Sequence, residues 1–257
     1  MNAGMYWNAY QGLVIKQVRR FVRSWVQSLL PSVVTASLFM LIFGHFVGRD
    51  LAAVEGVPYA DFLMPGLILF AVVSNAYSNT TLAFFGARLQ RHIEEMLVAP
   101  VPAWLIVAGF ATAGVIRGLL AGALVAALAL PFTSLQVHHL ASGLGVAVLS
   151  ALLFSFAGLV NGVFARNFDD TSLVNTFILT PLMYLGGVFY PISRLPSPWA
   201  DVSQLNPMVH IVDGFRYALL DIGDSCRAST FIVLPLITCA VGGLAWWLIA
   251  RGIRIKS

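Results

Sequence analysis

The side chains able to do covalent chemistry are few in this sequence and are spaced wrongly for it. The five histidines (His45, His92, His138, His139 and His210) are scattered, with no His-Glu-x-x-His or paired Cys/His spacing to hold a metal. His138 and His139 read as an ordinary solvated pair in a loop. Lys16 and Lys256, the two lysines, each follow an isoleucine, so the Gly-x-x-x-x-Gly-Lys-Ser/Thr loop that cradles ATP phosphates does not occur. Ser142-Gly143 comes nearest to an intramembrane serine nucleophile, and no base is aligned with it. Two cysteines, Cys226 and Cys239, supply neither a disulfide framework nor a Cys-rich metal centre. No catalytic residue, metal or bound cofactor is therefore expected of this chain.

Polar groups that could meet a cargo or a partner are concentrated in two places. Ser74, Asn75, Tyr77, Ser78, Asn79, Thr80 and Thr81 fall inside an apolar run, and Asn75 and Asn79, about one helical turn apart, share a face. Uncharged amides and hydroxyls there either line a route or bond neighbouring helices together, and the spacing supports both. The second place is 88–97, where Leu89, Ile93, Met96 and Leu97 form one helical face and Arg91, Glu94 and Glu95 the other. Arg91 and Glu95 stand at i,i+4, and Pro100 and Pro102 end the helix abruptly. Such a helix offers a charged face for docking a soluble partner; a solvated loop helix with a satisfied ion pair is the competing account. All 11 acidic residues lie in loops or at interfaces, which leaves no mid-membrane carboxylate of the kind that drives proton-coupled carriers.

The elements that carry these groups are membrane spans. Of the 257 residues 59% are hydrophobic and 10% charged, with a mean hydropathy of +0.85, which excludes an ordinary soluble domain. At about 20 apolar residues per crossing there is room for about six spans and for no soluble motor or catalytic domain. Apolar runs at 29–47, 62–85, 112–132, 140–164, 171–190 and 231–250 mark an all-α membrane protein with six transmembrane helices, and 29–257 form its permease domain. Lys16, Arg19, Arg20, Arg23, Arg88, Arg91, Arg166, Arg251, Arg254 and Lys256 fall on one side of that arrangement, and Arg49, Arg194, Arg216 and Arg227 on the other. The bias places both termini in the cytoplasm. The net charge of +4 is thus expected to serve membrane orientation and not nucleic acid. No short apolar core with a small-residue cleavage site precedes the first span, so the N-terminal segment is expected to stay in the mature chain.

Ahead of the first span, within 1–28, Val14, Val18, Phe21 and Trp25 line one face of a helix, with Lys16, Arg20, Arg23 and Gln27 opposite. That pattern suits a helix lying among headgroups, or one packed on the protein itself. The third apolar stretch, 104–132, exceeds the membrane thickness. A crossing counted back from Phe132 starts near Thr112 and leaves Arg117 one to two turns inside the boundary, free to snorkel or to bond a neighbouring helix. Gly114, Gly118 and Gly122, and likewise Gly158 and Gly162, recur every fourth residue and let helices approach closely, within the chain or between two copies. The outer loop opens with Pro191, Pro196, Pro198 and Trp199 and restarts a helix at Asn206-Pro207, an N-cap followed by proline. Met208, Val212, Phe215 and Leu219 share one face of that helix, which dips into the outer leaflet or covers the bundle, and Asp213 and Arg216 form a structural ion pair.

With these pieces in place the chain resembles, over nearly its whole length, the permease subunit of type-2 ATP-binding-cassette (ABC) transporters, the ABC-2 type permease family. The resemblance rests on Phe84-Phe85-Gly86-Ala87 followed by Arg91, Glu94, Glu95 and Val98-Ala99-Pro100-Val101-Pro102; on Asn161-Gly162-Val163-Phe164-Ala165 with Phe168-Asp169-Asp170; on Thr180-Pro181-Leu182 with Tyr184-Leu185-Gly186-Gly187-Val188-Phe189-Tyr190; and on Asn206-Pro207 with Gly214-Phe215-Arg216-Tyr217. It implies an N-terminal interfacial helix, six spans, a cytoplasmic coupling helix at about 86–101 and an outer re-entrant helical element at about 191–230. It further implies a homodimer in the bacterial inner membrane, surrounded by lipids and docked on two copies of a separate ABC ATPase that uses ATP and Mg. On that pattern Arg88, Arg91, Glu94, Glu95 and Pro100 belong to the ATPase-coupling surface, and Asn75, Ser78, Asn79 and Tyr184 to the lining of the export route. Cargo does not carry over, because one scaffold serves many substrates. An ion-coupled secondary carrier and an intramembrane hydrolase are the alternatives, disfavoured by the missing carboxylates and the missing nucleophile and base.

Overall fold

The computed structural model describes residues 3–47, 54, 56–98, 101–133, 137–192, 195–199, 203, 206–222 and 227–254. Helix is the regular structure among them, apart from one bridge between Val54 and Val57. The helices are α1 (Ala3–Arg23), α2 (Trp25–Phe39, continued by wider π-type turns over Met40–Val47), α3 (Tyr59–Leu89), α4 (His92–Val98), α5 (Ala103–Ala129) and α6 (Leu140–Phe164). Then come α7 (Phe168–Val174), a π-type stretch (Asn175–Leu179) leading into α8 (Thr180–Tyr184), α9 (Pro207–Leu220) and α10 (Arg227–Ala250). Five have the length and apolarity to cross a bilayer: Trp25–Gly44, Tyr59–Leu89, Ala103–Ala129, Leu140–Phe164 and Thr230–Ala250. The protein is a multi-pass, all-helical membrane protein.

The fifth apolar run, 171–190, departs from the expected uninterrupted helix. Pro181 has no N–H and its ring crowds the carbonyl four residues back. The preceding turn widens, so that the Thr180 backbone N–H and hydroxyl both donate to the Asn175 carbonyl, five residues away. Helical backbone then ends at Tyr184 rather than Tyr190. The path from Phe168 to Tyr184 is about 17 residues, or roughly 25 Å, slightly less than the hydrocarbon core.

α3 is the hub of the bundle, and glycine is what lets its neighbours reach it. A Cβ on Gly118 would stand 2.6 Å from the Val72 carbonyl oxygen, one on Gly122 2.4 Å from Val72, and one on Gly158 2.6 Å from the Tyr77 carbonyl oxygen. Both glycine stripes therefore face α3 of the same chain, which settles the choice that spacing leaves open. At one end of the bundle α9 lies over α3 and α6. Asn206 accepts from the Met208 N–H as the N-cap and donates through Nδ2 to the Leu182 carbonyl, which ties α9 to α8. Arg216 donates to Asp213 at 3.2 Å and to the Gly187 carbonyl at 2.9 Å, with its guanidinium 3.9 Å above the Phe62 ring.

Two further expectations change. His138 and His139 are not a merely solvated pair: His138 Nδ1 lies 3.0 Å from the Leu219 carbonyl, and His139 stacks on Tyr217 and shares a hydrogen bond with its hydroxyl. They fasten the start of α6 to the end of α9. The N-terminal segment is not one helix to residue 28. It turns at Ser24, and α2 already begins at Trp25. The buried stripe of α1 is Leu13, Gln17 and Phe21, with Trp25 58% exposed, so α1 seats on α5 through a face one residue away from the expected one. Leu13 meets Gly109, and the Tyr10 hydroxyl bonds Thr112 at 2.8 Å.

Candidate functional site

Arg88, Arg91 and Glu94 of the coupling set lie at the end of the bundle where α3, α4, α5, α6 and α10 meet. The apolar cluster there contains Phe84, Ile93, Ile106, Phe110, Val163 and Ile249, with Phe84 and Phe110 edge to face at 5.5 Å. Ile93 of α4 is fully buried in it. α4 is shorter than the expected 86–101: α3 runs on to Leu89, and the chain turns at Gln90-Arg91 before restarting. The turn uses a left-handed Arg91 (φ 58°), a position without glycine, and the Glu94 N–H then closes on the Arg91 carbonyl at 3.1 Å.

Arg88 therefore belongs to α3, and its guanidinium donates to the carbonyls of Val163 and Ala165 while lying 5.3 Å from the Phe85 ring centroid. It closes the end of α6, whose last carbonyls lack helical partners. Arg91 is exposed and Glu94 half-buried beside Ile93. The Glu95 side chain and Pro100 lie outside the described residues.

The four residues assigned to lining divide into two pairs. Asn75 and Asn79 are buried in the bundle. Asn75 Nδ2 donates to Ser32 Oγ of α2 at 2.7 Å and to the Ala71 carbonyl at 3.0 Å. Asn79 Oδ1 accepts from Arg20 of α1 at 3.2 Å and from Arg117 of α5 at 3.4 Å, and Arg117 also donates to the Ser28 carbonyl at 3.0 Å. Arg117 is thus bonded between helices, one of the two roles open to it from sequence. Arg20 as a whole side chain is exposed, yet its guanidinium lies against Asn79, and desolvation pulls its pKa below the ordinary arginine value. Ser78 is half-buried and Tyr184 is 40% exposed. Tyr184 packs on Phe70 and Phe189, with Phe39 beyond, along a narrow crevice also lined by Ser32, Thr35 and Leu67.

Sequence reasoning missed this aromatic group, although Phe39 and Phe43 at i,i+4 and the Tyr184 to Phe189 segment were visible as separate signals. No cluster of His, Cys, Asp or Glu among the described residues is placed to hold a metal. The arrangement can bind, seal and transmit movement.

Comparison with known proteins agrees with this architecture. Residues 8–220 match the family described as ABC-2 type transporter. The chain is similar to the inner membrane transport permease YadH of Escherichia coli (strain K12), with 48% identity covering 98% of this chain and 99% of the relative. It is also similar to nodulation protein J of Sinorhizobium fredii (strain NBRC 101917 / NGR234), with 28% identity covering 79% of each. A helical bundle with a short seated helix between its second and third long spans, matched along this length, belongs to the ABC-2 type transporter family.

Proposed function

We propose that this chain is the transmembrane permease subunit of an ATP-driven exporter of the bacterial inner membrane, working as a homodimer on two copies of a separate ABC ATPase that consumes ATP with Mg. Phe168–Tyr184 serves as the fifth of six crossings, both termini face the cytoplasm, α1 within 1–28 rests at the interface, and 191–230 carries the outer re-entrant element. The observation that carries the reading is the seating of α4. Ile93 locks α4 into a cluster shared by α3, α5, α6 and α10, so a push on its charged face moves packed helix ends as a body instead of bending a loop. Arg91, Glu94, Glu95 and Pro100 form the surface that the ATPase touches. Arg88 extends the same device by binding α3 to the end of α6.

Tyr184 and Ser78 stand nearest an open face and would meet cargo first. Asn75 and Asn79 join the lining when α2 parts from α3, since Ser32 now occupies Asn75. The test is to purify the tagged chain from its native membrane in mild detergent and identify stoichiometric partners by mass spectrometry. A P-loop ATPase at one copy per permease is expected, and its retention drops when Glu94 and Glu95 are both replaced by Ala while membrane expression holds. The chain coming down alone, under conditions that preserve other membrane complexes, would overturn the reading.

A further inference from the structure

Two arginines from different helices converge on one neutral amide. Arg20 Nη2 lies 3.2 Å from Asn79 Oδ1 and 3.3 Å from the Asn79 carbonyl oxygen, and Arg117 Nη1 lies 3.4 Å from the same Oδ1. Among the described residues no carboxylate pairs with either guanidinium. Donors are also in surplus: Arg117 Nε and Asn79 Nδ2 are buried without a hydrogen-bond partner, and Asn79 is 1% exposed. Like charges brought together around spare donors lack an anion.

Space for one exists beside Arg20. A cleft of about 440 Å³ is lined by Arg20, Arg23, Ser24, Trp25, Val26 and Gln27. Its floor is the turn between α1 and α2, where the first crossing begins, so it opens at the edge of the bilayer. Trp25 is 58% exposed there, at the level where tryptophan sits among headgroups. Below it Val26, Leu30 and Val34 are exposed on the flank of α2, a surface on which acyl chains can lie.

We propose that this cleft binds the phosphate group of an anionic membrane lipid. Arg20 and Arg23 contact the phosphate oxygens, whose charge and acceptor count match guanidinium donors. Arg117, held by Ser28 and Asn79, adds positive potential from behind and positions Asn79. The bound lipid thereby bridges α1 and α2 at the point where α1 turns into the membrane, with Arg20 in turn bonded to Asn79 of α3. The inference uses the position of the first crossing and does not depend on the ATPase.

The test uses the full chain in nanodiscs of phosphatidylcholine carrying increasing phosphatidylglycerol, scored by native mass spectrometry for retained lipid and by thermal unfolding. The wild type retains phosphatidylglycerol and its Tm rises with it. Replacing Arg20 and Arg23 together by Gln weakens retention by about tenfold or more and flattens the Tm response. Should the double variant fail to fold, Arg23→Gln alone, which breaks no described interhelical bond, must still weaken retention. Arg19→Gln, which removes an exposed α1 charge outside the cleft, leaves retention unchanged. Equal retention by wild type and cleft variants, or an equal loss in Arg19→Gln, overturns the proposal. So does an equal Tm rise with millimolar inorganic phosphate in pure phosphatidylcholine discs, which would make the ligand a free anion. Partner ATPase retention, measured on the same variants before reconstitution, separates failure of this site from failure of the coupling reading.

Discussion

Arg88 donates to the carbonyls of Val163 and Ala165, acceptors that the end of α6 leaves without helical partners. Truncating it to Ala strands both, and the expected cost is about 2 kcal/mol, read as a lower Tm in detergent. Arg91→Ala removes an exposed side chain and is expected to cost no more than about 0.5 kcal/mol. Equal losses would show that Arg88 does not close α6. Arg91 also separates two effects, because its backbone is left-handed. Arg91→Gly relieves about 1 kcal/mol of strain, so Tm is expected to rise while ATPase retention falls. Ile93→Ala empties a fully buried site, with an expected loss of about 2–4 kcal/mol and release of α4, seen as faster hydrogen exchange over 92–98. Some of this is legible in the sequence. An arginine a turn or two inside a membrane boundary must snorkel or bond a neighbour, and Arg117 bonds one. The partners of Arg88 are 75 and 77 residues away, so no local pattern points to them, and a left-handed residue without glycine or asparagine leaves no mark.

At the scale of elements, the glycine stripes read correctly as close-approach surfaces, and three dimensions were needed to name the helix they approach. Gly114→Val would drive its Cβ to 2.2 Å from Thr80 Oγ1 and 2.4 Å from Ser155 Oγ, at an expected cost of about 1–3 kcal/mol and with a lower monodisperse yield. Gly145→Ala meets nothing within 4 Å, and is expected to be neutral or to raise stability by up to about 1 kcal/mol. If both variants behave alike, the α3–α5 contact is not what the stripe serves. The α1 face was misjudged because burial there follows the shape of α5: Gln17 is buried at 4%, against its polarity, while apolar Trp7, Ile15 and Trp25 stay exposed. Composition alone cannot reveal which apolar face meets protein and which meets headgroups. The interruption at Asn175–Leu179 was signalled by Pro181, but hydropathy averages over such a defect.

Across the whole molecule the crossings are unequal. The α3 window is 78% buried inside this chain and the α2 window 17%, so nearly all the apolar flank of α2 is left for lipid or for a second copy. The same inequality bears on how the protein is made. α3 has the lowest hydropathy of the five crossings, 1.4 against 2.2 for α6, since it carries the run from Ser74 to Thr81. During synthesis it meets the bilayer before α5 and α6 exist, with the hydroxyls of Thr80 and Thr81 that later face their glycines. A chain truncated after residue 98 is expected to integrate α3 incompletely, and one ending after residue 164 to integrate it fully, read by labelling single cysteines placed at either end of α3 from each side of the membrane. Insertion of the second crossing is then a delayed event, completed by helices that the ribosome has yet to deliver.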